Sequence, residues 1–75
     1  MPRTNVNRVK TQYRRFNDWL RGEMSERKVN QTKLAEYLHI EQPTLSKRMN
    51  GEIQWPFMDV LEVLEYFNAS FEEVF

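Results

Sequence analysis

Gln31 to Gly51 read QTKLAEYLHIEQPTLSKRMNG. Two short helical patterns lie in this stretch, three residues apart. In the first, over about Gln31–Leu38, the residues Leu34, Ala35 and Leu38 share a face. Asn30 precedes it as an N-cap, with a side-chain oxygen that can accept an orphan amide of the first turn. Ala35 is small, so another helix can approach closely there. The second pattern runs over about Gln42–Met49. Pro43 is tolerated because first-turn amides have no intrahelical acceptor, and Asn50-Gly51 form a C-terminal stop. His39-Ile40-Glu41 leave room only for a tight turn, which forces the two helices to cross steeply. Apolar residues are sparse from residue 40 onward: Ile40, Leu45 and Met49. A helix that buries so little is either filler or a surface that reads something.

The flanking sequence supplies a core for these helices. Val6, Val9, Tyr13, Phe16, Leu20 and Met24 recur at spacings of three and four, which predicts one helix with a narrow apolar stripe over about Asn5–Arg27. Trp19 flanks the stripe, and Gly22 is a weak point within the helix. Ile53-Gln54-Trp55-Pro56 read as loop, with Trp55 tucked into a groove and Pro56 opening a fourth helix. Val60, Val63, Leu64 and Phe67 share a face of that helix, with Phe57 and Leu61 nearby, and Asn68-Ala69 end it. Ser70-Phe71-Glu72-Glu73 has the form of a capping box and starts a last short helix. The fold class expected is therefore all-α, a single compact five-helix domain over residues 1–75 with an extended first helix. Residues 1–8 form a basic arm or helix start, and residues 31–49 the helix-turn-helix.

Composition narrows the function. There is no cysteine and one histidine, so neither a disulfide framework nor a thiolate zinc site can be built. No apolar run is long enough to span a bilayer, and a reducing, cytoplasmic setting is expected. No nucleophile, paired acids or metal-ligand set can be assembled, so no enzyme and no cofactor is expected. The net charge is zero, but its distribution is uneven. Residues 1–33 hold nine bases and three acids, residues 34–50 balance, and residues 51–75 hold six acids and no base. A chain polarised in this way can present one basic face despite its neutrality; the plain alternative is two solvated faces of opposite sign.

The helix over Gln42–Met49 has two sides. Leu45, Arg48 and Met49 point one way, Pro43, Lys47 and Asn50 the other, with Thr44 and Ser46 flanking and Gln42 at the exposed tip. Gln can pair with adenine and Lys can reach guanine acceptors in a major groove. Small hydroxyl residues permit close approach. The plain alternative is a solvated helix with no ligand.

The stretch resembles the helix-turn-helix of the phage repressor and Cro family, the lambda-repressor-like fold. The likeness rests on Gln31, Leu34-Ala35, Leu38, Ile40, Leu45 and Asn50-Gly51, and continues through Val60, Val63, Phe67, Ala69-Ser70 and Glu72-Glu73-Val74. It covers about residues 16–75. It implies sequence-specific binding of a double-stranded DNA operator by a small transcriptional repressor of phage or prophage type, encoded by a phage or a bacterium. A homodimer is implied, in some cases formed only on DNA, with no membrane and no small-molecule ligand. The resemblance implies base contacts for Gln42, Pro43 and Lys47, and backbone contacts for Gln31, Thr44, Ser46, Arg48 and Asn50. Arg3, Arg8, Lys10, Arg14 and Arg15 could track phosphates as a basic arm, or be a solvated face.

The chain departs from the family pattern at four places. His39 stands where glycine is usual in the turn; histidine tolerates positive φ better than most residues. As a catalytic base it has no neighbouring nucleophile. Arg48 stands where an aliphatic residue is common, so its stem is expected to pack while its head reaches phosphate. Met24 and Met49 stand where many members pair an arginine with a glutamate, and a contact between them is expected. Pro56 comes one residue later than usual. In addition, the first helix extends beyond what the core needs, so Val6, Val9 and Tyr13 either cover Phe71, Val74 and Phe75 or form a dimer seam. The competing functional class is a protein-interaction module, an antirepressor or antitoxin-like protein using the acidic region 52–75 with Phe71 and Phe75.

Overall fold

The computed structural model describes the backbone from Val6 to Phe75 and the side chains from Tyr13 onward. Among the described residues the protein is all-α. Its helices are α1 (Val6–Arg27), α2 (Gln31–Leu38), α3 (Gln42–Met49), α4 (Phe57–Tyr66) and α5 (Phe71–Val74). These elements follow the spacing of apolar residues in the sequence. α1 is the extended helix, 22 residues against 8 for α3.

One core draws on every helix. α1 contributes Phe16, Leu20 and Met24; α2 contributes Leu34, Ala35 and Leu38. α3 adds Leu45 and Met49, α4 adds Val60, Val63 and Leu64, and α5 adds Val74. Met24 and Met49, at the positions where an ion pair was the family expectation, are thus both buried apolar groups. Phe67 and Trp55, from the ends of loops, complete the cluster. Aromatic packing ties the chain ends together. The Phe75 ring stacks on Phe16 with centroids 5.6 Å apart, and Trp19 meets Phe67 edge-on at 5.8 Å. Such pairs add to the burial term, by about 0.5–1.5 kcal/mol each. The C-terminus therefore packs on α1 through Phe16. Tyr13 turns instead to the loop after α3, where its hydroxyl donates to the Trp55 carbonyl oxygen (3.2 Å). Val6 and Val9, expected either to cover the C-terminus or to form a dimer seam, have side chains outside the described residues.

Helix starts are set by side-chain caps. Asn30 Oδ1 accepts from the Lys33 amide (2.8 Å) at α2. At α5 the capping box is complete: Ser70 Oγ accepts from the Glu73 amide (3.3 Å), and Glu73 Oε1 accepts from the Ser70 amide (2.6 Å). Pro56 is the N-cap of α4, so the helix proper opens at Phe57.

Helix ends share one device. α1, α2, α3 and α4 are each followed by a residue of positive φ: Lys28 (58°), His39 (59°), Gly51 (81°) and Asn68 (57°). In each case the next amide reaches back to a carbonyl five residues earlier. These bonds are Val29 to Met24, Ile40 to Ala35, Glu52 to Lys47 and Ala69 to Leu64, at 2.8–3.0 Å. This is the Schellman closure. Only Gly51 adopts it without a Cβ penalty; Lys28 and His39 carry a cost of about 1–2 kcal/mol each. Core contacts on both sides of each turn offset that cost. The turn at Lys28 had no sequence signal, since no glycine or asparagine marks it.

The two glycines make opposite predictions. Gly22 is helical, exposed and has open space where a Cβ would go. Gly22→Ala should therefore raise stability by about 0.5–1 kcal/mol. Gly51→Ala forces a side chain into the left-handed region and should lower it by about 1 kcal/mol. Urea denaturation of the two variants, read at unchanged m-value, checks both signs.

Candidate nucleic-acid interface

α3 is held at both ends, by different means. At its start the left-handed His39 (φ 59°, ψ 42°) reverses the chain, and Ile40, half-buried, packs against the core. Glu41 then caps α3 with extended backbone and no side-chain hydrogen bond. Between these ends only Leu45 and Met49 are fully buried, at 0% and 4% exposure. Burying such side chains is worth about 1.5–3 kcal/mol each, enough to seat a two-turn helix but not to align it.

Alignment comes from polar groups at the far end. Asn17, the buried polar residue of the core, projects from α1. Its Nδ2 donates to the Arg48 carbonyl oxygen (3.1 Å), and its Oδ1 accepts from the Trp55 indole nitrogen (2.8 Å). One amide thus ties α1 to the last turn of α3 and to the loop beyond it. Arg48 continues the linkage. Its Nη1 forms a salt bridge to Asp59 Oδ2 on α4 at 2.5 Å, and its guanidinium lies over the Trp55 ring, 5.6 Å from the centroid. The two side chains are only 12% and 21% exposed.

The outward side of α3 is what these restraints leave over. Gln42, Pro43, Lys47 and Asn50 are exposed, and Thr44 and Ser46 are half-buried beside them. At the tip, Gln42 Nε2 donates to Gln31 Oε1 in a long hydrogen bond of 3.4 Å. This brings the first residues of α2 and α3 side by side. The leading amides of α2 have no intrahelical acceptor and face the same end. At the other end Arg21 on α1 donates through Nη2 to Asn50 Oδ1 (2.9 Å).

The candidate residues therefore fall into three sets. Gln31, Gln42, Pro43, Thr44, Ser46, Lys47 and Asn50 are gathered along one edge formed by α2 and α3. Arg48 is set apart from that edge, because Asp59 and the Trp55 face hold its guanidinium on the inner side. Arg14 and Arg15 are exposed on α1, and Arg14 faces the loop after α3 across an open groove also lined by Arg21 and Gln54. Arg3, and the side chains of Arg8 and Lys10, lie outside the described residues.

Sequence reading passed over Asn17 and Arg21. A signal for Asn17 existed: Tyr13, Asn17, Leu20 and Met24 recur at spacings of four, three and four. A polar residue on a buried stripe must find partners. Arg21 carries no comparable signal, since its partner is 29 residues away.

No family model, curated protein or solved structure matches the chain.

Asn17→Ala should cost about 2–3 kcal/mol, because it leaves the buried Trp55 N–H and the Arg48 carbonyl without partners. Chemical denaturation measures the loss. The largest amide shift changes in a nitrogen–proton spectrum should fall at residues 48–55, not in α2.

Proposed function

We propose that the protein is a sequence-specific double-stranded DNA-binding protein, a small transcriptional regulator of the repressor and Cro type. The observation that carries this reading is the single exposed edge on which Gln31 and Gln42 pair while Lys47 projects one turn further along α3. A major groove admits one helix, and base edges are read by a few side chains near its N-terminus. Gln42 is suited to adenine and Lys47 to guanine acceptors. Pro43 contributes apolar contact. Gln31, Thr44, Ser46 and Asn50 suit phosphate and sugar contacts, which set register without reading sequence. The resemblance to the lambda-repressor-like family belongs to this proposal, as do a phage or prophage origin, a cytoplasmic location and a homodimer assembled on paired half-sites. Among the described residues no helix is long and apolar enough to cross a membrane.

Binding-site selection from random duplex DNA is the primary test. A recovered half-site, with its spacing, supports the proposal and yields the symmetry. On that site Gln42→Ala and Lys47→Ala should each weaken binding by about 1–3 kcal/mol. Both residues are exposed, so stability should stay within about 0.5 kcal/mol of wild type. Equal binding by all three proteins would remove α3 as the reader. Salt separates the rival protein-interaction class, which the exposed Phe57 and Phe71 favour. Affinity for DNA falls steeply as salt rises, because counterion release then gains less, whereas docking centred on apolar side chains falls far less.

A further inference from the structure

The outer face of α4, with α5 beside it, carries apolar side chains that the core does not use. Phe57 is 59% exposed, Met58 65%, Phe71 46% and Leu61 37%. Phe57 and Leu61 are four residues apart and share a stripe of α4. The Phe57 ring meets Phe71 edge-on with centroids 6.4 Å apart, and Phe71 stacks on Phe75 at 4.5 Å. Phe75 in turn stacks on the fully buried Phe16. The patch is therefore one connected surface rooted in the core. Single exposed apolar residues are ordinary, but contiguous apolar surface of this kind marks contact sites.

Acids border it. Glu65 continues the Phe57–Leu61 stripe by one further turn, Glu62 lies four residues beyond Met58, and Glu72 and Glu73 follow Phe71. Residues 51–75 contain six acids and no base. Asp59 is paired with Arg48, which leaves five carboxylates with no base in this part of the sequence. The charge decides between occupants. A second copy docked through the same face by a two-fold axis would set the same carboxylates against each other. A partner with an apolar stripe and a basic border satisfies both parts of the surface.

We propose that the α4–α5 face docks an apolar helical segment of another protein flanked by lysine or arginine. Phe57, Leu61, Met58 and Phe71 supply the buried centre; the glutamates orient the segment and speed its approach. None of these residues lies on the α2–α3 edge, so this surface is independent of the DNA reading and can be tested without DNA.

The full chain supplies its own reporter. Met58 is exposed, whereas Met24 and Met49 are buried. Methyl-labelled protein is titrated with two synthetic helical peptides that share one Leu/Phe stripe, one flanked by lysines and the other by glutamates. The expected result is a saturable shift of the Met58 methyl with the lysine peptide, little movement of Met24 and Met49, and at least about tenfold weaker binding of the glutamate peptide. Phe57→Ser, at a largely exposed position, should weaken the lysine peptide about tenfold or more while leaving the fold intact, and Leu61→Ser provides a second variant. Equal binding of both peptides would overturn the proposal, as would no saturable shift. So would a dimer, seen by sedimentation, that buries the Met58 methyl and excludes the peptide.

Discussion

The buried amide of Asn17 holds the two halves of this domain in register. It joins α1 to the last turn of α3 through the Arg48 carbonyl, and to the following loop through the Trp55 indole. Without it, α3 would rest on two apolar side chains, a turn and the side-chain contacts of Arg48 and Asn50. Apolar contacts are non-directional, so Leu45 and Met49 keep α3 on the domain without specifying its rotation. Hydrogen bonds of defined geometry do specify it, and in a low-dielectric setting they are costly to leave unmade. The Arg48–Asp59 bridge extends the same restraint to α4. The edge that carries Gln42 and Lys47 is presented by groups on the opposite side of the helix.

A second constraint acts at the helix ends. Four helices close through a left-handed residue, and two of those residues, Lys28 and His39, are neither Gly nor Asn. The turns at Lys28 and His39 store strain that a larger core would absorb easily. In a chain of 75 residues, burial is limited, and aromatic packing takes a correspondingly large part. The chain Phe16, Phe75, Phe71 and Phe57 runs from the core to the surface. It leaves the last two rings half-covered, where they can serve recognition as well as stability.

Charge is distributed to match. Nine of the eleven bases fall within residues 1–33, and residues 51–75 hold six of the eleven acids and no base. Neutrality overall is therefore no obstacle to binding an anionic duplex by one edge. It also means that the acidic α4–α5 surface and the α2–α3 edge would attract different partners. Arg48 is excluded from this division, because Asp59 draws it inward.

The sequence by itself determined the helices and their core faces. The spacing of Phe16, Leu20 and Met24, of Leu34 and Leu38, and of Val60, Val63 and Leu64 is a local property, and a helix of 3.6 residues per turn converts it directly into a buried stripe. Caps such as Asn30 and Ser70 were legible for the same reason, since their partners are three residues away. The outward set on α3 followed by exclusion once Leu45 and Met49 were known to be buried. Tertiary structure alone decided where the long polar side chains go. Arg48 has a flexible stem that could carry its head to either side of α3, and only the arrival of Asp59 and Trp55 settles the choice. Asn17 and Arg21 acquire their roles from partners 29 to 38 residues away. No periodicity along the chain encodes such distances; they exist only after apolar burial has brought the helices together.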